Sequence, residues 1–171
     1  MNALTIALAA LLVTPLAAVP ASEPIGTPDK ERIRIIDHRL EHDGRTYAWS
    51  VMIPPGVDLP GPAVLFLHGY GECGDDGKKH LTVGLPPAVR ADPDRWPMVL
   101  IVPQKPAPTS EWEDHEGAVL AMLDEAAEKG YFDPGRLAVT GLSQGGHGTI
   151  ALASRHPDRF RAAAPVCGYS G

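Results

Sequence analysis

Leu137–Gly148 reads LAVTGLSQGGHG, and the fold predicted for this chain depends on it more than on any other segment. A short apolar run rich in β-branched residues, Leu137–Thr140, leads into the sequence GLSQG, and a glycine-rich helix start follows. Strand, sharp turn and helix in this order are the context of a G-x-S-x-G nucleophile elbow. Gly141 and Gly145 leave room where the strand end and the helix start crowd each other. Ser143 is predicted at the apex in strained backbone, with its hydroxyl above the sheet.

The N-terminal half predicts a β-hairpin followed by buried strands. Arg32–Leu40 and Tyr47–Ile53 alternate between apolar and polar residues, and Glu41–Gly44 between them ends in an Asp-Gly pair. Period-two alternation on both sides of Asp-Gly is typical of a hairpin. Ala63–Leu67 and Met98–Val102 are continuous apolar runs, as expected of strands that are buried on both faces.

Helical patterns alternate with these strands. Leu85–Val89 favours a short helix, and Glu113–Lys129 carries apolar residues at helical spacing. Asp133–Gly135 predicts a turn into the elbow strand, the elbow helix is expected to end near Arg155, and Phe160–Val166 indicates one more strand. This alternation predicts an α/β fold with a mostly parallel sheet that begins with an antiparallel hairpin. Ligands bind such sheets beyond the carboxyl ends of the strands.

The N-terminus reads as a targeting segment. Met1–Ala21 has no charged side chain and contains an apolar stretch followed by small residues. This pattern predicts a secretory signal peptide at residues 1–21, a linker at 22–31, and export of the protein to the periplasm or the medium. The alternative is an uncleaved membrane anchor, against which Pro15 and the shortness of the apolar run argue. We therefore expect no stable membrane insertion of the mature chain.

Composition limits the partners. The chain has 171 residues, 44% of them hydrophobic and 21% charged, which is enough for one domain with its own core. A formal net charge of −6 offers no basic surface for nucleic acid or anionic lipid, and favours a small or neutral partner.

The chain has two cysteines, Cys73 and Cys167, which follow strands on the same predicted rim of the sheet. A disulfide between them and two separate thiols are both open. Two thiols at this spacing do not predict a metal site. The oligomeric state stays open.

A serine in an elbow needs further groups to do chemistry. Its hydroxyl requires an adjacent base that is itself oriented by a third group. The oxyanion that forms when it attacks a carbonyl requires fixed N–H donors. The backbone N–H of Gln144 follows the serine directly, at the positive end of its helix, and is one such donor. The second is predicted to be the backbone N–H of Tyr70, in the glycine-rich loop after Ala63–Leu67.

Four segments in combination resemble the α/β-hydrolase superfamily: LFLHGYGE, PQKPAPTSEW, DPGRLAVTGLSQGG and ASRHPDRFRAAAPVCG. The resemblance is strongest to the carboxylesterase, phospholipase and acyl-thioesterase branch, near poly(3-hydroxybutyrate) depolymerases and feruloyl esterases. It covers roughly residues 32–171, as the N-terminal part of an α/β-hydrolase domain with about strands one to six of eight. The resemblance implies a nucleophile at Ser143 and an oxyanion hole from Tyr70 and Gln144. It also implies hydrolysis of a small or polymeric carboxylic ester, or of a thioester, through an acyl-enzyme without a cofactor or metal.

The sequence departs from this pattern at its C-terminal end. In the family the acid and the histidine of the triad follow the serine, after the seventh and eighth strands. The residues after Ser143 end near the predicted sixth strand, and His156 and Asp158 lie where the elbow helix should finish. His147 lies one turn beyond the serine on the same helix, so its side chain should be fixed away from the hydroxyl. We therefore expect the N-terminal part of a longer hydrolase, weakly active or inactive alone and poorly soluble.

The remaining candidates have structural alternatives. His68 is expected to brace the loop after the first buried strand, and Glu72 to pin that loop through hydrogen bonds. Trp112 is expected to line the acyl or alcohol pocket, with packing at the rim as the alternative. Asp75 and Asp76 are too few ligands for calcium. Two further histidines without evident partners are expected on the surface: His80 and His115.

Two other functions remain open. A prolyl-oligopeptidase-like serine peptidase would share the same elbow, and its distinguishing features would lie outside this sequence. A non-catalytic module with a hydrolase-like fold would instead bind a ligand or partner through the uncovered edge of the sheet. Reaction of Ser143 with a fluorophosphonate would separate the enzymes from the binding module.

Overall fold

The computed structural model describes residues 32–169. The predicted signal peptide at 1–21 and the predicted linker at 22–31 both lie outside these residues. Strands and α-helices alternate after an initial hairpin, and short 3₁₀ turns fill several of the connections. In chain order the elements are β1 (Arg34–His42), β2 (Arg45–Ile53), β3 (Gly61–Leu67), α1 (Leu85–Ala91), β4 (Val99–Pro103), α2 (Glu116–Glu128), β5 (Phe132–Leu142), α3 (Gln144–Arg155) and β6 (Ala162–Val166).

The described strands form one six-stranded mixed sheet in the order β1-β2-β4-β3-β5-β6. β1 pairs with β2, and β2 with β4, in antiparallel fashion, whereas the remaining pairs are parallel. The predicted α/β class and the antiparallel start of the sheet are therefore confirmed. The crossovers place the carboxyl ends of β3, β4, β5 and β6 on one rim, where a ligand is expected.

The hairpin turns at the residues that the sequence indicated. Asp43 and Gly44 have φ values of 49° and 72°. Two consecutive residues with positive φ form a type I′ turn, whose twist matches that of the flanking strands. The strands extend closer to the turn than the alternation suggested, because Glu41 and His42 pair with Thr46 and Arg45.

Side chains of the central strands point alternately to two cores. Leu65 and Leu67 of β3 face the core that is shared with α2 and α3, whereas Phe66 faces the core on the α1 side. The fully apolar runs of β3 and β4 follow from this arrangement, since both faces of these strands are covered. The smaller α1 covers only part of its face. An apolar groove is left beside it, lined among others by Trp96, Met98 and Ala164.

Two segments differ from the sequence-based expectation. Asp133–Gly135 was expected as a turn, but it lies within β5, which begins at Phe132. Asp133 Oδ1 accepts a hydrogen bond from Gly135 N at 2.8 Å, and the pairing with β3 shifts register at this point, so the turn chemistry produces a bulge inside a strand. The predicted helix from Glu113 begins instead with a 3₁₀ turn, and α2 starts at Glu116.

Three further features of the described residues bear on the site. Cys73 is buried and Cys167 is exposed, and both are free thiols. All five residues of β6 are exposed. None of the described helices is both long and apolar enough to cross a bilayer.

Candidate active site

Ser143 lies at the apex of a strained turn between β5 and α3. Its φ and ψ are 57° and −115°, a region that non-glycine residues rarely occupy. Its backbone N–H donates to Val166 O at 2.9 Å, which ties the turn to the end of β6. The residue is exposed, although Gly141 before it and Gln144 after it are buried. The elbow geometry that the motif predicts is therefore present, with the serine presented to solvent.

The elbow leaves no space for side chains at its two glycines. A Cβ on Gly141 would collide with the carbonyl oxygens of Gly145 and Leu67, and a Cβ on Gly145 would collide with Leu67 O. These obstacles are backbone atoms, so a side-chain adjustment cannot relieve them. The close approach of α3 to the end of β3 is what requires glycine at both positions.

The loop after β3 lies directly against the elbow. The Cβ position of Gly69 is 3.6 Å from Ser143 Cβ and 3.3 Å from Leu142 O. Gly69 N donates to Glu72 Oε2 at 3.1 Å, so Glu72 pins this loop as expected. Tyr70 follows, with its side chain 63% exposed. The two segments that carry the predicted oxyanion donors, Tyr70 N–H and Gln144 N–H, therefore meet at Ser143.

Gln144 opens α3, so its backbone N–H has no acceptor within the helix. That donor also lies at the positive end of the helix dipole, which favours a negative charge beside Ser143. The side chain of Gln144 is used elsewhere: it is only 8% exposed, and Nε2 donates to Pro108 O at 2.9 Å.

His68 braces this rim. Its ring is fully buried, and burial lowers the pKa of His68 to about 4, so the imidazole is neutral at physiological pH. Nε2 accepts a hydrogen bond from Lys105 N at 2.9 Å, which leaves the proton on Nδ1, from where it is donated to Gly69 O at 2.7 Å. His68 thus bonds to both the β3 loop and the β4 loop, and it acts as the brace that the sequence suggested.

The expected substrate-lining role of Trp112 is corrected by its position. The side chain is 1% exposed, and Nε1 donates to His68 O at 3.1 Å. Its ring packs edge-on against His68, and a Cβ on Gly148 would lie 2.5 Å from Trp112 Cβ. The indole therefore fills the space between α3 and the β3 loop, where substrate has no access.

Lys105 is a residue of this rim that the sequence analysis missed. It is fully buried, and its Nζ donates to Gln144 Oε1 and to Ala107 O, at 3.0 Å each, and also to Ser110 O. Lysine is normally an exposed residue, so its type gave no signal. Its place at the carboxyl end of β4, within the segment PQKPAPTSEW, was the only available indication.

The profile of the prolyl oligopeptidase family matches residues 113–170. Over 135 residues the chain is 32% identical to "Putative esterase NocK" from Nocardia uniformis subsp. tsuyamanensis, a match that spans 73% of this chain and 39% of that protein. The crystal structure of a thermostable esterase superposes with a TM-score of 0.64 at 25% identity, over 80% of this chain and 41% of the esterase. The chain belongs to the α/β-hydrolase superfamily.

The fold of this α/β-hydrolase is shared more widely. The CE1 ferulic acid esterase from Anaeromyces mucronatus superposes with a TM-score of 0.58 at 16% identity, over 85% of this chain and 65% of the esterase. The profile and the match to NocK relate the chain to families of hydrolases, and the superposition on the ferulic acid esterase shows a shared fold. The chain spans less than two thirds of the length of each of these relatives.

No histidine within the described residues 32–169 is hydrogen-bonded to Ser143. His156 Nε2 lies 2.7 Å from Glu116 Oε1, at the far end of α3 from the elbow. His147 Nε2 lies 2.7 Å from Glu113 Oε1, and its Nδ1 bonds to Tyr169 O. Both residues are thus held in other contacts, as expected for histidines outside a catalytic triad.

His147 belongs to a polar cluster beside the elbow. Its ring stacks on Tyr169 with a centroid separation of 4.6 Å, and the pKa of His147 is raised, first by the Tyr169 carbonyl and then by Glu113. Desolvation, followed by the carboxylate of Glu111, raises the pKa of Tyr169 to about 12. Among the described residues, Glu111, Glu113 and His147 are the group whose ligand atoms could hold a metal ion, since these atoms lie within 4.8 Å of one another.

Two histidines expected on the surface are buried. His80 is 0% exposed, and its Nε2 lies 3.1 Å from Ser50 Oγ. His115 is 5% exposed and bonds to Tyr47 and Ser110 through its two ring nitrogens. The expectation was wrong because Ser50 and Tyr47, the partners on β2, are distant in the chain, and a sequence does not reveal them as neighbours.

Asp76, the second residue of the acidic pair, organises the glycine-rich loop. Asp76 Oδ1 accepts hydrogen bonds from Lys78 N, Lys79 N and Gln104 Nε2. These donors, Gln104 first, lower the pKa of Asp76 to about 2. The carboxylate is therefore occupied by protein donors.

Proposed function

We propose that this protein is a serine hydrolase that cleaves carboxylic esters or thioesters through an acyl-enzyme on Ser143. One observation carries the proposal: Ser143 is exposed at positive φ between two segments with backbone N–H groups suited to an oxyanion. Backbone strain of this kind costs about 1–3 kcal/mol and is typical of functional sites, which supports a role for Ser143 as the nucleophile.

The proposed reaction has two halves. Ser143 Oγ forms a bond to the acyl carbon as its proton passes to a base, and the carbonyl oxygen becomes an oxyanion that accepts hydrogen bonds from Gln144 N–H and Tyr70 N–H. Collapse of this intermediate breaks the bond to the alcohol or thiol, which leaves with a proton. Water then attacks the acyl-enzyme, and the acid is released as Ser143 regains its hydrogen.

The base and acid of the triad are proposed to come from sequence outside the described residues. This proposal is supported by the engagement of His147 and His156 with Glu113 and Glu116, and by the greater length of the relatives. The 171-residue chain alone should then show low activity. Binding and oxyanion stabilisation can still leave a residual acceleration of about 10³-fold.

Ester hydrolysis is favoured by the relatives whose names describe esterases. The match of residues 113–170 to the prolyl oligopeptidase family supports a peptidase as the second candidate. In the full-length protein, hydrolysis of p-nitrophenyl butyrate but not of a prolyl p-nitroanilide would favour the esterase. The reverse result would favour the peptidase. A small or polymeric ester substrate and export through Met1–Ala21 are part of the same proposal.

Labelling with a fluorophosphonate tests the nucleophile. We expect stoichiometric labelling of the full-length protein, much slower labelling of the 171-residue chain, and no labelling of Ser143→Ala. Ser154→Ala is the matched control, because Ser154 is an exposed serine on the same helix. Labelling that survives in Ser143→Ala would overturn the proposal. A folded full-length protein that is never labelled would favour a non-catalytic binding module.

A further inference from the structure

Lys105 lies where the two segments that carry the proposed oxyanion donors come together. We propose that Lys105 is a positioning residue for hydrolysis at Ser143: its side chain fixes the Gln144 end of the site, and its backbone fixes the loop that carries Tyr70. The inference rests on the proposed function, because positioning has a kinetic meaning only if these donors stabilise a transition state.

The side chain of Lys105 reaches the elbow. Its Nζ donates to Gln144 Oε1 at 3.0 Å, and its other two hydrogen bonds go to the carbonyl oxygens of Ala107 and Ser110. An ammonium group has three donors, so all of them are used and the group is fixed in one orientation. The hydrogen bond from Lys105 also fixes the side chain of Gln144. This fixes the position of Gln144, whose backbone N–H is the proposed oxyanion donor next to Ser143.

The backbone of Lys105 holds the other segment. Its N–H donates to His68 Nε2 at 2.9 Å, and its carbonyl oxygen accepts a hydrogen bond from Gly74 N, also at 2.9 Å. His68 and Gly74 lie on either side of Tyr70 in the loop after β3. One residue therefore holds both ends of this loop together with the first residue of α3.

The charge of Lys105 has no acidic partner in these contacts. Its three hydrogen-bond acceptors are two backbone carbonyls and an amide oxygen. Burial of an ammonium without a paired carboxylate carries a desolvation cost that a neutral side chain would not incur. A positive charge beside the oxyanion donors instead favours the negative charge that develops in the transition state.

Lys105→Met in the full-length protein tests the proposal. With p-nitrophenyl butyrate we expect kcat to fall about 10- to 100-fold while KM changes less than about twofold, because a displaced donor weakens transition-state binding alone. Affinity for a trifluoromethyl ketone, whose adduct on Ser143 carries an oxyanion, should fall by the same factor. Lys129→Met, which removes an exposed lysine paired with Glu125, is the charge control and should leave kcat as it was.

A double-mutant cycle with Gln144→Met locates the effect. If Lys105 acts through Gln144, the double variant should be about as slow as the slower single variant, and the two losses should not multiply. Losses in kcat that multiply would overturn the link. An unchanged kcat in Lys105→Met, or a KM that rises while kcat stays the same, would overturn the positioning role.

Two controls keep the outcomes separate. If Lys105→Met does not fold, Gln144→Met alone carries the test, and a kcat equal to that of the wild type would overturn the proposal. If Ser143→Ala keeps full hydrolysis, the proposed function itself fails. If Ser143→Ala is inactive and Lys105→Met retains the wild-type kcat, only the role of Lys105 fails.

Discussion

The rim around Ser143 and the edge strand β6 are bonded to each other, yet they differ in how much of each is buried. At the rim, His68 and Lys105 are fully buried, and their polar atoms are bonded to neighbouring loops. In β6 every residue is exposed, although the strand pairs with β5 along its whole length and Val166 O accepts the Ser143 N–H. Backbone pairing therefore places β6, whereas side-chain packing and buried hydrogen bonds fix the rim.

The comparison indicates where this chain is intolerant of change. The site must hold two N–H donors in fixed positions beside one hydroxyl. Buried hydrogen bonds keep the surrounding groups in a single conformation and so fix these positions. An edge strand of mostly alanine contributes hydrogen bonds but little buried apolar area. Substitutions at the rim should therefore cost far more stability than substitutions in β6.

Gly145→Ala should have the largest effect. The new Cβ would collide with Leu67 O, a backbone atom, so α3 or β3 must move. We expect a loss of about 3 kcal/mol or more in the free energy of unfolding, or no folded protein. Gly71→Ala is the control, since its Cβ would meet no atom within 4 Å. Urea denaturation measures both, and equal stability of the two variants would contradict the elbow geometry.

Acid should lower the stability of the folded protein through two buried histidines, His68 and His80. Burial lowers the pKa of His68 and of His80 from 6.5 to about 4. Because the folded-state pKa lies below the unfolded one, the contribution to stability is present above pH 6.5 and is lost as the pH falls toward 4. We expect a loss of up to about 3 kcal/mol for each imidazole over this interval. In His80→Gln the loss of stability between pH 6.5 and 4 should be smaller than in the wild type, which acid titration of the unfolding free energy measures.

Matched substitutions on adjacent strands test the comparison directly. Val139 in β5 is 1% exposed and Val166 in β6 is 48% exposed. Val139→Thr buries a hydroxyl and should cost about 2 kcal/mol. Val166→Thr keeps the β-branched shape in solvent and should cost less than about 0.5 kcal/mol. Thermal denaturation of both variants measures the difference, and equal shifts in Tm would show that β6 is as tightly packed as β5.

Trp112→Phe should have the smallest effect on the rim, and it also tests the corrected role of this residue. The substitution removes the bond from Nε1 to His68 O and should cost about 1 kcal/mol of stability. Because the indole lies beneath the site, KM for p-nitrophenyl butyrate should stay within about twofold of the wild-type value. A several-fold change in KM with unchanged stability would restore the substrate-lining role.

Most of the elements were predictable, because their signals are local. The Asp-Gly pair at Asp43 predicted the hairpin turn, and the apolar run Ala63–Leu67 predicted a central strand. Asp133–Gly135 misled, since the turn chemistry is real but is absorbed as a bulge within β5. The residues of Asp133–Gly135 predict the local turn, but the pairing of β5 with β3 determines whether the strand ends there or continues past the turn.

The supporting residues of the site were much less predictable. His80 and His115 were assigned to the wrong environment, Trp112 was left between two alternatives, and Lys105 was missed. For all four, the burial depends on contacts with residues that are distant in the chain, as in the bond from Lys105 to Gln144. Residue type gives an average exposure, and a buried lysine is the case in which that average is least informative.

The α/β order of elements, the elbow at Ser143 and its two glycines could all be read from the amino-acid sequence, because strain and crowding in a tight turn depend on a few consecutive residues. The tertiary structure alone decided that Trp112 packs beneath the site and that Lys105 joins the β3 loop to α3. The physical reason is that burial and hydrogen bonding at the rim depend on segments brought together by the sheet, whose spacing along the chain gives no sign of their contact.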